Sequence, residues 1–264
     1  MLVYFGAMMT RAQHTRVTSF LQWTGPGRAV VFVLAAASIW CLLSEMYGLC
    51  EMRTFFYAIL LPATGALYGM AVLDHVKGNR LLWRGVMIGT VAGLAGAVAY
   101  DVFRLPFVFS DAWGMGRLGI PQMPLFKVFP RFGALILGES MEQGVASGPG
   151  SAWGAGYSVA AHLLGWAYHF SNGATFGVMF AAMYAGAKEA AAGVRGRAWK
   201  PIAWAVVMAV GIEICLLLSP YSAFFGIHMT TRFVVVTMTA HIIFGLFLGA
   251  WFAWHERRWR SGCA

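Results

Sequence analysis

The sequence predicts an all-α, polytopic integral membrane protein, a bundle of six transmembrane helices, and three observations carry that expectation. Hydrophobic residues make up 59% of the 264 positions and charged residues 11%, where a soluble domain carries about 25% charged residues. Six apolar stretches approach the roughly 20 residues that a helix needs to cross a hydrocarbon core. The basic residues, which give a formal net charge of +9, fall mainly between those stretches. Membrane topology explains such a distribution better than a nucleic-acid surface does.

Residues 1–28 read as a basic interfacial segment ending at Gly25-Pro26-Gly27. No small-residue cleavage site precedes the first apolar stretch, so that span is expected to serve as an uncleaved anchor. Spans near 29–49, 55–73 and 82–104 make up the first group, 29–104, with a short polar turn over 74–80. The one long connection, 105–157, is rich in Gly and Pro, which marks a loop. Its apolar run over 132–138 suits an interfacial or re-entrant helix. Spans near 158–185, 201–219 and 233–254 form the second group, 158–254, and 255–264 is a basic tail. Cys41, Cys50, Cys215 and Cys263 show no paired spacing, and Cys41 and Cys215 read as small core residues inside spans.

Thirteen Lys and Arg residues fall on the side of the two termini and six on the other. By the positive-inside rule both termini are expected in the cytoplasm and the long loop outside, in a bacterial inner membrane. Trp23, Trp83, Trp199, Trp251 and Trp254 fit an aromatic belt on the cytoplasmic side.

Three of the inward-running spans carry a small-residue ladder: Leu61-x3-Gly65-x3-Gly69, His169-x3-Gly173-x3-Gly177 and His241-x3-Gly245-x3-Gly249. Glycines four apart let a second helix approach closely in a bilayer. The partners expected for such faces are the bilayer itself, a second copy of the chain or other subunits of a membrane complex. A histidine one turn before the ladder lies on the same stripe and faces the packed interior. The outward-running spans each carry one carboxylate near the outer end: Glu45, Asp101 and Glu213. This alternation admits three pseudo-repeated helical hairpins, although Gly/Ala-rich packing imitates such a repeat as easily.

Depth concentrates these groups on one side. At 1.5 Å per residue His241 lies about 12 Å and Glu213 about 9 Å below the outer boundary, and the inner halves are almost purely apolar. Ionisable groups inside a bilayer are costly and raise a functional hypothesis. The candidate pocket has His169, His241 and Glu213 at its centre, with His162, Asn172, Asp101 and Glu45 in support. His162 is seven residues, nearly two turns, from His169 and so shares its face. Each group also has a plainer reading. Asp101 and Arg104, at i and i+3, suit an interfacial anchor whose Arg reaches the headgroups. Glu213 is an acid without a partner in an apolar run, Glu139 and Glu142 suit a solvated loop face that can fold over the pocket, and His228 stands just before the last span.

Three classes of function remain open on these residues. Intramembrane His and carboxylate in a water-accessible cavity suit transport of an ion, a proton or a small solute. A transition metal held by His169 and His241 with Glu213 or Asp101, or a haem with the two histidines as axial ligands, with redox or hydrolytic chemistry, is the second. A non-catalytic subunit of a membrane complex is the third. A nucleophilic enzyme is disfavoured, because Ser140 in Gly138-Glu139-Ser140-Met141-Glu142 does not fit the strand-turn-helix elbow G-x-S-x-G.

Overall fold

In a computed structural model of the protein, residues 23, 25–140, 156–190 and 199–261 are described. The basic segment 1–28 falls almost wholly outside them, as do Glu142 and Cys263. Every element among the described residues is helical. Five helices are long and apolar enough to cross a membrane: α1 (Gly25–Met46), α2 (Met52–Val76), α3 (Leu81–Val108), α6 (Lys200–Leu218) and the apolar part of α8 (Thr231–Ser261). The remaining long helix, α5 (Val159–Ala190), has the length but is interrupted by His162, His169, Ser171 and Asn172. Between α3 and α5 stands the short α4 (Val128–Leu137), and between α6 and α8 the single turn α7 (Tyr221–Phe224).

Helix α2 contains a π-turn at Phe56–Leu60 directly before Pro62. Proline lacks an N–H and its ring collides with the carbonyl four residues back. The ladder therefore steps to a wider spacing, and the Leu61 N–H reaches the Phe56 carbonyl. The polar turn expected over 74–80 is shorter than its span suggests, because α2 runs on to Val76 and buries Asp74 completely. Asp74 Oδ2 accepts the N–H groups of Leu82 (2.9 Å) and Trp83 (3.1 Å), capping α3. To bring those amides onto the carboxylate, Arg80 takes a left-handed backbone with φ of 59°. The half of the bundle expected to be purely apolar thus holds a buried carboxylate, put to structural use.

Side-chain size decides which helices meet. Helix α5 packs against α1, α3 and α4, while α3 also packs against α8, and α8 against α6. Along the antiparallel α3–α5 seam, Gly89 and Gly93 face Gly177 and Gly173 with backbone against backbone, and a Cβ on Gly89 would stand 2.7 Å from the Gly177 carbonyl oxygen. Gly245 and Gly249 of α8 press in the same way on Val206 and Ile202 of α6, and Gly133 and Gly165 join α4 to α5. Two of the three predicted ladders are therefore packing faces. The ladder of α2 is not: a Cβ on Gly65 or Gly69 would meet nothing within 4 Å. Polar contacts then hold α1 to α5, with the Tyr168 hydroxyl donating to the Ser38 carbonyl (2.6 Å) and Ser38 Oγ 2.6 Å from Thr175 Oγ1. Cys41 is buried as expected, whereas Cys215 is exposed on α6.

Residues 105–140 of the expected loop hold more helix than their composition suggests. Helix α3 continues through Pro106, and α4 is buried along most of its length against the first two turns of α5. It is an inserted helix of the protein interior, not a surface strap. Because the α3–α5 seam leaves no room for a side chain, Gly93→Ala is expected to lower stability by about 1–3 kcal/mol. Gly65→Ala, on the open ladder, leaves it unchanged; thermal unfolding of the two variants in the same detergent checks the contrast.

Candidate functional site

The glycine seams determine which side chains meet. On α3, Tyr100, Asp101 and Arg104 follow the Gly89–Gly93 contact within three turns, and on α5 His169 precedes Gly173 by one turn. Close approach of the two backbones brings His169 Nε2 to 2.9 Å from Asp101 Oδ2. Asp101 Oδ1 lies 3.5 Å from Arg104 Nη1, and Arg104 Nη2 donates to the Leu125 carbonyl. Asp101 and Arg104 are 7% and 4% exposed, so the pair is not the headgroup anchor that its position at a helix end suggests.

The same construction recurs on the other two helices. His241 precedes Gly245 by one turn, and the close α6–α8 contact sets its Nδ1 3.1 Å from Glu213 Oε2. Glu213 is therefore partnered, contrary to the expectation from its apolar neighbours. The same Nδ1 is 3.0 Å from the Thr237 carbonyl oxygen. Two acceptors around one ring nitrogen place the proton of a neutral imidazole on Nδ1 and leave the lone pair on Nε2. Tyr100 joins the two pairs, its ring centroid 6.0 Å from that of His169 and 4.9 Å from that of His241.

Helix α4 closes one flank. Phe129 stacks on His169 with centroids 4.1 Å apart, and Trp166 packs on Phe129 at 4.4 Å. Above the two pairs opens a cavity of about 570 Å³, within the range of about 300–1,000 Å³ typical of small-molecule sites. Tyr100, Arg104, His169, Asn172, Glu213 and His241 all line it. Two buried polar atoms at this wall, Arg104 Nε and Asn172 Oδ1, have no hydrogen-bond partner among the described residues. Tyr221 of α7 also lines the cavity, and burial above all holds its phenol above the ordinary range, so the hydroxyl keeps its proton.

Of the predicted residues, His169, His241, Glu213 and Asn172 converge on the cavity, and Asp101 stands directly behind it on His169. His162 does not line it: two turns before His169, α4 packs on α5 at Ala161 and Gly165. Glu45 is elsewhere: its carboxylate accepts the Met52 N–H and fixes the start of α2. Glu139 accepts from Ser158 at the base of α5 and does not fold over the cavity, whereas His228 does line it. The cationic wall residues Lys127, Arg131 and Arg232 are part of the site that the sequence reading assigned to the loop side of the topology. Their signal was present, since Lys127 and Arg131 are spaced i, i+4, but only the burial of α4 turns that face inward.

Among the described residues, no three His, Cys, Asp or Glu side chains are placed to hold one metal ion. Tyr100 occupies the space between the two imidazoles, which a shared metal or an axially ligated haem would need. No family model, no curated protein and no solved structure matches the chain.

Each histidine and its carboxylate form a coupled unit. His241→Gln and Glu213→Gln are each expected to destabilise the protein, and the double variant loses less than their sum, by about 0.5–3 kcal/mol. Chemical unfolding in detergent measures this cycle, with His162→Ala as a near-neutral comparison.

Proposed function

We propose that the protein is a membrane transporter that moves a small solute and couples its binding to proton uptake. The observation that carries this reading is the pair of His–carboxylate units, His169–Asp101 and His241–Glu213, beside a cavity open towards one end of the bundle. Imidazole exchanges a proton near neutral pH, and an adjacent carboxylate accepts or shares it. A solute entering the cavity changes the field at both pairs through Tyr100 and Arg104, which line the wall and touch them. Below the pairs the helices close on apolar residues and glycine, with Ala92, Ala205, Phe244 and Leu248 buried. Such a closed floor suits one state of an alternating-access cycle better than an open channel.

The reading includes α5 as a sixth span, with His169 and Asn172 turned to the cavity and Gly173 and Gly177 to α3. It includes cytoplasmic termini in a bacterial inner membrane, on the charge asymmetry of the connections. The ladder left open on α2 favours a second reading, a subunit that packs on another membrane helix through Gly65 and Gly69.

Proteoliposomes with a trapped pH dye test the transport reading. Addition of a panel of small carboxylates, phosphates, amines and sugars is expected to reveal one class that moves protons with it. His241→Gln abolishes the proton signal while the cavity still binds. If no class moves and no proton signal develops, transport is wrong and the subunit reading stands, to be tested by crosslinking through a cysteine at position 65.

A further inference from the structure

The charge of the cavity wall is lopsided. Arg104, Lys127, Arg131 and Arg232 line it together with His169, His228 and His241, and among the described residues Glu213 is the one carboxylate lining it. That carboxylate is already engaged by His241, and Asp101 behind the wall is engaged by His169 and Arg104. Arg131 donates to the Phe225 carbonyl and meets no carboxylate among the described residues, so its guanidinium is held in place by a neutral acceptor. Lys127 and Arg131 are half-buried on successive turns of one face, and Arg104 is almost completely buried with its Nε unpartnered. Headgroup anchoring accounts for an exposed Arg232 but not for the other three. Cations within low-dielectric walls focus a positive potential into the space they share.

Between the cations the wall is apolar and aromatic: Leu42, Phe129, Phe132, Leu217, Phe233 and Phe244 line the same cavity. A hydrated inorganic anion would leave this surface uncovered. A ligand with an anionic head and an apolar body satisfies both parts of the wall at once. Arginine and lysine bind carboxylate and phosphate by charge-assisted hydrogen bonds.

We infer that the cavity binds an anionic amphiphile, a carboxylate or phosphate carrying an alkyl or aryl body. Its head sits among Arg104, Arg131 and Lys127 and its body lies against the phenylalanines. This names the substrate class of the transport reading and rests on it for the idea of movement, but not for binding. The amphiphile comes either from water or from the bilayer as an anionic lipid, and the head chemistry is the same.

Calorimetric titration of the full chain in phosphatidylcholine nanodiscs tests it, with decanoate, decyl phosphate, decanol and decyltrimethylammonium as probes. Decanoate and decyl phosphate are expected to bind at least about tenfold more tightly than the neutral and cationic probes. Lys127→Gln, at a side chain with no ion pair among the described residues, weakens decanoate by about tenfold, and Arg131→Lys, which keeps the charge, weakens it less than Arg131→Gln. Equal binding of decanol, a preference for decyltrimethylammonium, or decanoate affinity unchanged in the Lys127→Gln, Arg131→Gln double variant overturns the inference. Phosphatidylglycerol in the nanodisc separates the sources: a lipid ligand competes with decanoate and a water-borne one does not. Decanoate that binds while no class of the solute panel moves overturns transport and leaves this inference standing; an amine or sugar carried while decanoate and decyl phosphate fail to bind does the reverse.

Discussion

Backbone contact between α3 and α5 is the constraint on which the rest of this molecule depends. Lipid tails are as apolar as leucine, so no hydrophobic gain pulls helices together inside a bilayer, and association relies on dispersion contacts and polar bonds at short range. Gly89 and Gly93 against Gly173 and Gly177 supply that short range. The polar groups one or two turns beyond the seam then meet each other, since most of their surface is withdrawn from water. His169 finds Asp101, and by the same logic on α6 and α8, His241 finds Glu213. The site is a consequence of how closely the helices pack beneath it.

Electrostatics and packing are resolved together at the wall. A buried carboxylate without a partner is expensive, and both intramembrane acids at this end are matched by an imidazole or a guanidinium. What is left over is positive. The surplus faces a cavity whose remaining surface is aromatic, and α4 completes that surface while tying itself to α5 through Gly133 and Gly165. The elements that carry the cations are therefore the ones that close the flank, so charge and shape of the cavity are set by one short helix and its approach.

Much of this was legible in the residues. Apolar run lengths located the six long helices to within a few residues at most ends, and five of them are long and apolar enough to cross a membrane, where such a stretch has one stable state. The four-residue spacing from histidine to glycine singled out His169 and His241, since helical periodicity puts both on the buried stripe. The same reasoning misjudged three groups. Glu45 and Asp74 serve chain ends, holding the N–H groups of Met52, and of Leu82 and Trp83, and a carboxylate used as a cap looks in sequence like one used in a pocket. The ladder at Gly65 and Gly69 has the pattern of a packing face and no helix against it.

The sequence by itself determined the helical class, the positions of the spans and the stripe on which each ionisable side chain lies, because these follow from local periodicity and from the cost of an unpaired backbone in lipid. Only the tertiary structure decided the pairings: which carboxylate faces which imidazole, that Tyr100 stands between them, and that Lys127 and Arg131 turn inward. Those facts depend on contacts between residues some 30 to 140 positions apart in the chain, and periodicity along one helix holds no information about the neighbour that the helix will meet.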